Sequence, residues 1–169
     1  PDAIGDVFLT DDPPRPAAGI AAPVHDPPPA PRPDTMLKTI RDFFDTALAY
    51  GVGHSERLLG QVVRAHPDRG LIVATKVPPK NLKWPGKAEY PVAETFPADH
   101  IHEFTARSLE NLGLECIDLL QFHVWDDAWA DDDGWRRAIE DLKRAGTIRA
   151  FGISVNRWQP ENVLQAIAT

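Results

Sequence analysis

From Thr35 onward the chain alternates two textures. Short, nearly unbroken apolar runs are separated by longer stretches in which apolar residues recur every three or four positions. The short runs are FFDTA, LIVATKV, IDLLQFHV and IRAFGISV, rich in β-branched or aromatic residues and each close to a turn signal, so each predicts a strand. Continuous rather than alternating hydrophobicity fits strands covered on both faces, as in parallel sheets. The intervening stretches predict helices. Ser55 is placed to cap one that carries Leu58, Leu59, Val62 and Val63. Residues 98 to 112 put Ile101, Phe104, Leu109 and Leu112 on a stripe, with Gly113 as the stop. Residues 134 to 145 do the same with Trp135, Ile139 and Leu142, ending at Gly146. Pro160 suits a first helical turn followed by Val163, Leu164 and Ile167. The predicted order is β-α-β-α-β-α-β-α, an α/β fold with a parallel sheet and right-handed crossovers. Four such units make half of an eight-stranded barrel, and a doubly wound sheet satisfies the same count.

The first 34 residues read differently. Ten of the 17 prolines fall in residues 1 to 33, within DDPPRPAAG and HDPPPAPRP among others. Proline removes backbone donors and fixes φ, so this stretch predicts an extended or disordered leader ahead of a folded domain spanning 35–169. A proline-rich ligand for a partner domain is the less favoured reading of the same residues. The chain begins on Pro1, and its only methionine, Met36, follows the leader, which suggests a fragment or a processed product.

Composition narrows the function classes. The net charge of -7 argues against nucleic acid or an anionic membrane surface as a partner. No run approaches the roughly 18 apolar residues that a membrane span requires, and no signal-peptide pattern opens the chain. The single cysteine, Cys116, has no internal disulfide partner, which fits a reducing cytoplasm.

Polar residues then recur where the strands end. Asp45 closes the first, Lys76 the second and His123 the third, while Ser154 and Asn156 close the fourth. In α/β folds the C-terminal ends of parallel strands converge on the binding crevice, so groups far apart in sequence meet there. Tyr50 follows Asp45 in the next loop, within reach of the same mouth. Singly, each residue has an ordinary explanation: a helix cap, a solvated strand end, a core histidine. Jointly they suit carbonyl chemistry. A phenol is a weak acid at neutral pH, an adjacent ammonium favours its ionised form, and a carboxylate steadies the ammonium. A histidine can orient the carbonyl oxygen or assist the proton.

With these residues in place the chain resembles the aldo-keto reductase family, through FFDTALAYGVGHSERLLG, LIVATK, SLENLGLECIDLLQFH and RAFGISVN, over roughly residues 36 to 169. The resemblance implies a (β/α)8 TIM-type barrel, present here as about four βα units, and NADPH-dependent reduction of a small-molecule aldehyde or ketone. It implies Tyr50 as proton donor, Lys76 and Asp45 as the groups that tune it, and His123 as the residue that orients the substrate. It also implies that Ser154 and Asn156, with Asp45, face the nicotinamide of NADPH. Many members have the serine and asparagine adjacent, whereas Val155 separates them here, which leaves open the one that makes the contact. Trp125, just past His123, stands where a substrate-pocket aromatic is expected, with core packing as the alternative. The four units correspond to the second to fifth of the family. Its first strand and the last three, whose loops clamp the adenosine phosphate and pyrophosphate, are expected outside this stretch. The rival expectation is a non-catalytic half-barrel, a binding or regulatory module whose open sheet edges invite self-association.

Other signals carry less. GVGHSE lacks the third glycine of a phosphate cradle. Asp131, Asp133, Gly134 and Glu140 mimic a calcium loop, but Trp129 occupies the position where a carboxylate is required. His100 and His102 are two apart on a predicted helix and so diverge, and no metal site is expected. No nucleophile elbow points to hydrolysis.

Overall fold

A computed structural model describes residues 42–155 and 159–168. The proline-rich segment, including the leader expected over 1–34, lies outside the described residues. Four strands, β1 (Phe43–Asp45), β2 (Ile72–Val77), β3 (Ile117–Phe122) and β4 (Ile148–Ile153), form one parallel sheet in the order β1-β2-β3-β4. A doubly wound sheet reverses its strand order at a switch point. Here each strand is laid beside its predecessor, as in one arc of a barrel.

The crossover after β1 is α1 (His54–Ala65), that after β2 ends in α3 (Ala98–Leu112), and that after β3 holds α4 (Asp133–Arg144). A short α2 (Val92–Thr95) lies in the second crossover, and α5 (Leu164–Ala168) follows β4. That last helix starts four residues later than Pro160 suggests, because residues 160–163 are turn. Glycine stops work as expected at the end of α3, where Gly113 has φ 66 and donates its N–H to Leu109 O and Glu110 O. α4 is capped by Asp132, whose carboxylate accepts from the N–H groups of Gly134 and Trp135.

The start of α1 departs from expectation. Its N-cap is Gly53, in the left-handed region at φ 78, and no side chain caps it. Ser55 already lies in the first turn, and its hydroxyl accepts from Thr46 Oγ1 at 2.7 Å. The buried face is also rotated. Leu59 and Val63 face inward as expected, but Leu58 and Val62 are exposed and Glu56 is fully buried instead. Glu56 accepts from Thr75 Oγ1 at 2.7 Å and from Asn111 Nδ2 at 2.8 Å, so both of its buried oxygens are satisfied. One turn on, Gly60 lets α1 touch α3 backbone to backbone. A Cβ there would stand 2.2 Å from Leu112 O.

Register separates the two faces of the sheet. Phe44, Val73, Leu120 and Phe122 lie under the helices and join the core with Ile101, Leu112 and Ile139. The other face carries Asp45, Ala74, Lys76, Leu119, Gln121 and Gly152, paired strand to strand. Among the described residues no helix is long and apolar enough to cross a membrane. No group of three or more His, Cys, Asp or Glu among them is placed to hold a metal ion.

Candidate active site

The hydrogen-bond ladder runs one step past β1, β3 and β4, which fixes the residues that follow. Thr46 N donates to Ala74 O, His123 N to Val77 O and Ser154 N to Phe122 O, at 2.8–3.0 Å. Side chains alternate along a strand, so His123 and Ser154, each two residues beyond Gln121 and Gly152, lie on the face that carries Asp45 and Lys76. Four strand ends therefore bring their polar residues to one mouth.

Within it Lys76 is fully buried and its Nζ lies 2.5 Å from Asp45 Oδ2, with Thr46 O at 3.3 Å as a further acceptor. Burying an ammonium is costly unless it is paired and hydrogen-bonded, and both conditions are met. The Tyr50 ring stands over this pair, its centroid 5.7 Å from Lys76 Nζ. It also meets the His123 ring edge-on at 5.6 Å between centroids and 80° between planes. His123 is 2% exposed, whereas Tyr50 is 41% exposed at the rim. The loop that presents Tyr50 is tightly turned: Gly51, Val52 and Gly53 all have positive φ, and Gly53 N donates to Leu48 O at 2.7 Å. Asp45, Tyr50, Lys76 and His123, from three strand ends and one loop, are thus brought together.

Ser154 is at the same mouth and 1% exposed. Asn156 lies outside the described residues. Trp125 is not brought to the mouth. It is 1% exposed, donates Nε1–H to Asp127 Oδ1 at 2.9 Å, and packs against the rings of Phe122, Trp129 and Trp135. Its place is the aromatic core, because the chain turns inward directly after His123.

Trp84, which the sequence pattern did not single out, stands at the mouth instead. Its ring meets that of His123 at 4.5 Å and 89°, and it is 42% exposed. The long loop after β2 carries it and is pinned at several points. Lys80 N donates to Thr95 O, Asn81 Nδ2 to Thr95 Oγ1, and Trp129 Nε1 to Tyr90 O. A Cβ on Gly86 would come within 2.9 Å of Trp125 O and the Trp129 ring, so only glycine lets the loop lie so close. Gln121 was also missed. It pairs in register with Lys76 and Gly152, and its Oε1 is buried with no hydrogen bond among the described residues. A polar residue inside an apolar strand was the available signal.

The parallel strands of this arc thus hold the buried Lys76, paired with Asp45, beside Tyr50 and His123 at one mouth. Residues 34–166 match the model of the Aldo/keto reductase family, to which the chain belongs. Pyridoxal 4-dehydrogenase of Microbacterium luteolum is 31% identical over 147 residues, covering 69% of this chain and 43% of the relative. Aldo-keto reductase YhdN of Bacillus subtilis is 31% identical over 142 residues, covering 79% of this chain and 41% of the relative. Among solved structures, an aldo-keto reductase from Klebsiella pneumoniae in complex with NADPH matches with a TM-score of 0.53 at 26% identity, over 79% of this chain and 42% of that one. The chain therefore spans about two fifths of the length of these curated relatives.

Proposed function

We propose that this chain carries the proton-transfer half of an NADPH-dependent reductase that converts an aldehyde or ketone to an alcohol. The observation that carries the proposal is the Asp45–Lys76–Tyr50–His123 cluster. Tyr50, exposed at the rim, donates its phenolic proton to the substrate carbonyl oxygen. Lys76, held by Asp45, stabilises the phenolate left behind, because a nearby ammonium favours the ionised phenol. His123, edge-on to Tyr50, orients the carbonyl oxygen toward that proton. The ion pair of the buried Lys76 with Asp45 keeps the ammonium fixed before substrate arrives, so little reorganisation is needed when charge develops.

The residues present fit a nicotinamide ring at this mouth. Gln121 Oε1 is a buried acceptor with no hydrogen bond among the described residues, and a carboxamide supplies an N–H donor. Ser154, one strand along and on the same face, adds a hydroxyl, and Asp45 faces the same mouth from β1. Bound there, the dinucleotide supplies the hydride. Support for NADPH comes from relatives crystallised with NADPH or NADP, and a cytoplasmic setting suits the lone Cys116.

Trp84 forms one wall of the substrate pocket in this reading, selecting carbonyls that carry a flat apolar group. Trp84→Ala is expected to raise KM for aromatic aldehydes about tenfold, from lost aromatic contact and area, and to leave small aliphatic aldehydes little changed. Equal changes for both substrate classes would remove Trp84 from the pocket. Among the described residues β1 and β4 are edge strands, and self-association through them belongs to the same proposal. Sedimentation of the chain should then give a mass above 18.7 kDa, and a monomer at high concentration would count against it.

The proposal is tested in a barrel that joins this stretch to the family's remaining βα units, by titrating NADPH and following nicotinamide fluorescence, then following NADPH consumption against a panel of aldehydes and ketones. Saturable binding with aldehyde-dependent consumption supports it. NADPH consumption that survives loss of the Tyr50 hydroxyl unchanged would overturn the assigned chemistry.

A further inference from the structure

Away from the mouth, a cleft of about 510 Å³ opens between α1 and α3. Its walls carry Arg57, Arg64 and Arg107 against one acid, Glu110, with Leu48 and Val52 as apolar surface. The volume lies within the range of small-molecule sites. Three arginines and one glutamate give the lining a formal charge of +2, on a chain whose net charge is -7. The cleft is thus a local reversal of charge rather than part of a basic surface.

Two of the arginines are held in place. Arg57 Nη1 donates to Asn111 Oδ1 at 3.2 Å and to Val52 O at 3.4 Å. Arg64 Nη1 donates to Leu112 O at 3.0 Å. Each of these contacts uses one terminal nitrogen, and a guanidinium offers five N–H donors in a planar fork suited to oxyanions. Arg107 is 3.7 Å from Glu103, a long and exposed ion pair that water and salt weaken. The rim is unusual as well. Val52 has φ 53 and is 76% exposed. A β-branched residue in the left-handed region is strained, and such strain gathers at ligand clamps. Its side chain is a large apolar group beside the arginines that the described residues leave uncovered.

We propose that this cleft binds a small organic anion, its oxyanion group clasped by the arginines and its apolar part resting on Val52 and Leu48. The oxyanion is a phosphate monoester or a carboxylate, which share this recognition chemistry. None of Asp45, Tyr50, Lys76 and His123 lines the cleft, and the test needs no turnover. Phenyl phosphate, inorganic phosphate and benzoate are titrated into the full chain by calorimetry at constant ionic strength. Expected is saturable one-to-one binding, tighter for phenyl phosphate than for inorganic phosphate. A preference for phenyl phosphate over benzoate assigns the oxyanion to phosphate and the reverse to carboxylate, and either supports the site. Arg107→Gln, whose side chain holds no backbone acceptor, should weaken binding about tenfold, the loss expected for a charged hydrogen bond. Glu110→Gln should tighten it, with the melting temperature of both variants unchanged. Heat that never saturates, binding matched by chloride alone, or both variants binding like the parent would overturn the proposal.

Discussion

Tyr50→Phe should lower kcat about a thousandfold in protein that turns over an aldehyde with NADPH, while leaving the fold and dinucleotide affinity near their starting values. The magnitude follows from the worth of one positioned general acid, about 10²- to 10⁴-fold. The selectivity follows from position. Tyr50 is 41% exposed, and its ring meets His123 edge-on and lies 5.7 Å from Lys76 Nζ. Phenylalanine keeps that ring, so the edge-on packing survives the loss of the proton. Both kcat and kcat/KM should fall together, the signature of an interaction made in the transition state. A Tyr50→Phe protein with kcat close to that of the parent would move the proton-donor role to another group, with His123 the nearest candidate.

The second large effect is on stability. Asp45→Ala should cost about 3 kcal/mol, because it leaves the ammonium of Lys76 at zero exposure without its carboxylate. Thr46 O still accepts at 3.3 Å, which places the cost near the lower end of the range for broken buried pairs. For a chain of this size that is a fall in melting temperature of about 6–12 °C. Lys76→Met should cost less. The carboxylate it leaves behind is 23% exposed and can turn to water, and methionine fills the vacated volume. The double variant, Asp45→Ala with Lys76→Met, should therefore be more stable than Asp45→Ala alone. Thermal melts of the three proteins decide it, and a double variant less stable than Asp45→Ala would sink the argument. The same pair serves chemistry and folding, so activity lost in Asp45→Ala must be read beside its melting curve.

Much of this fold is legible because its signals are local. Apolar runs marked all four strands, Gly113 stopped α3, and polar residues at successive strand ends pointed to the mouth. The errors share a cause, which is that a distant partner decided the outcome. Ser55 looks like a cap until Thr46 takes its hydroxyl. Leu58 and Val62 look buried until Glu56 is drawn inward by Thr75 and Asn111, the latter 55 residues away. Trp125 and Trp84 are both aromatics near the mouth in sequence. Which of them reaches His123 is set by the path of a long loop, pinned by Gly86 and by the Trp129–Tyr90 bond. No periodicity encodes such a path. Gln121 stands out as one polar residue in an apolar strand, but only its register with Lys76 places it at the mouth.

The order β1-β2-β3-β4 has a further consequence for how the mouth is assembled as the chain emerges. No strand of this sheet must be inserted between two that came before it. Each strand pairs at the edge of the one before it in the sequence, and Asp45, Tyr50, Lys76 and His123 all lie ahead of β4 in the chain.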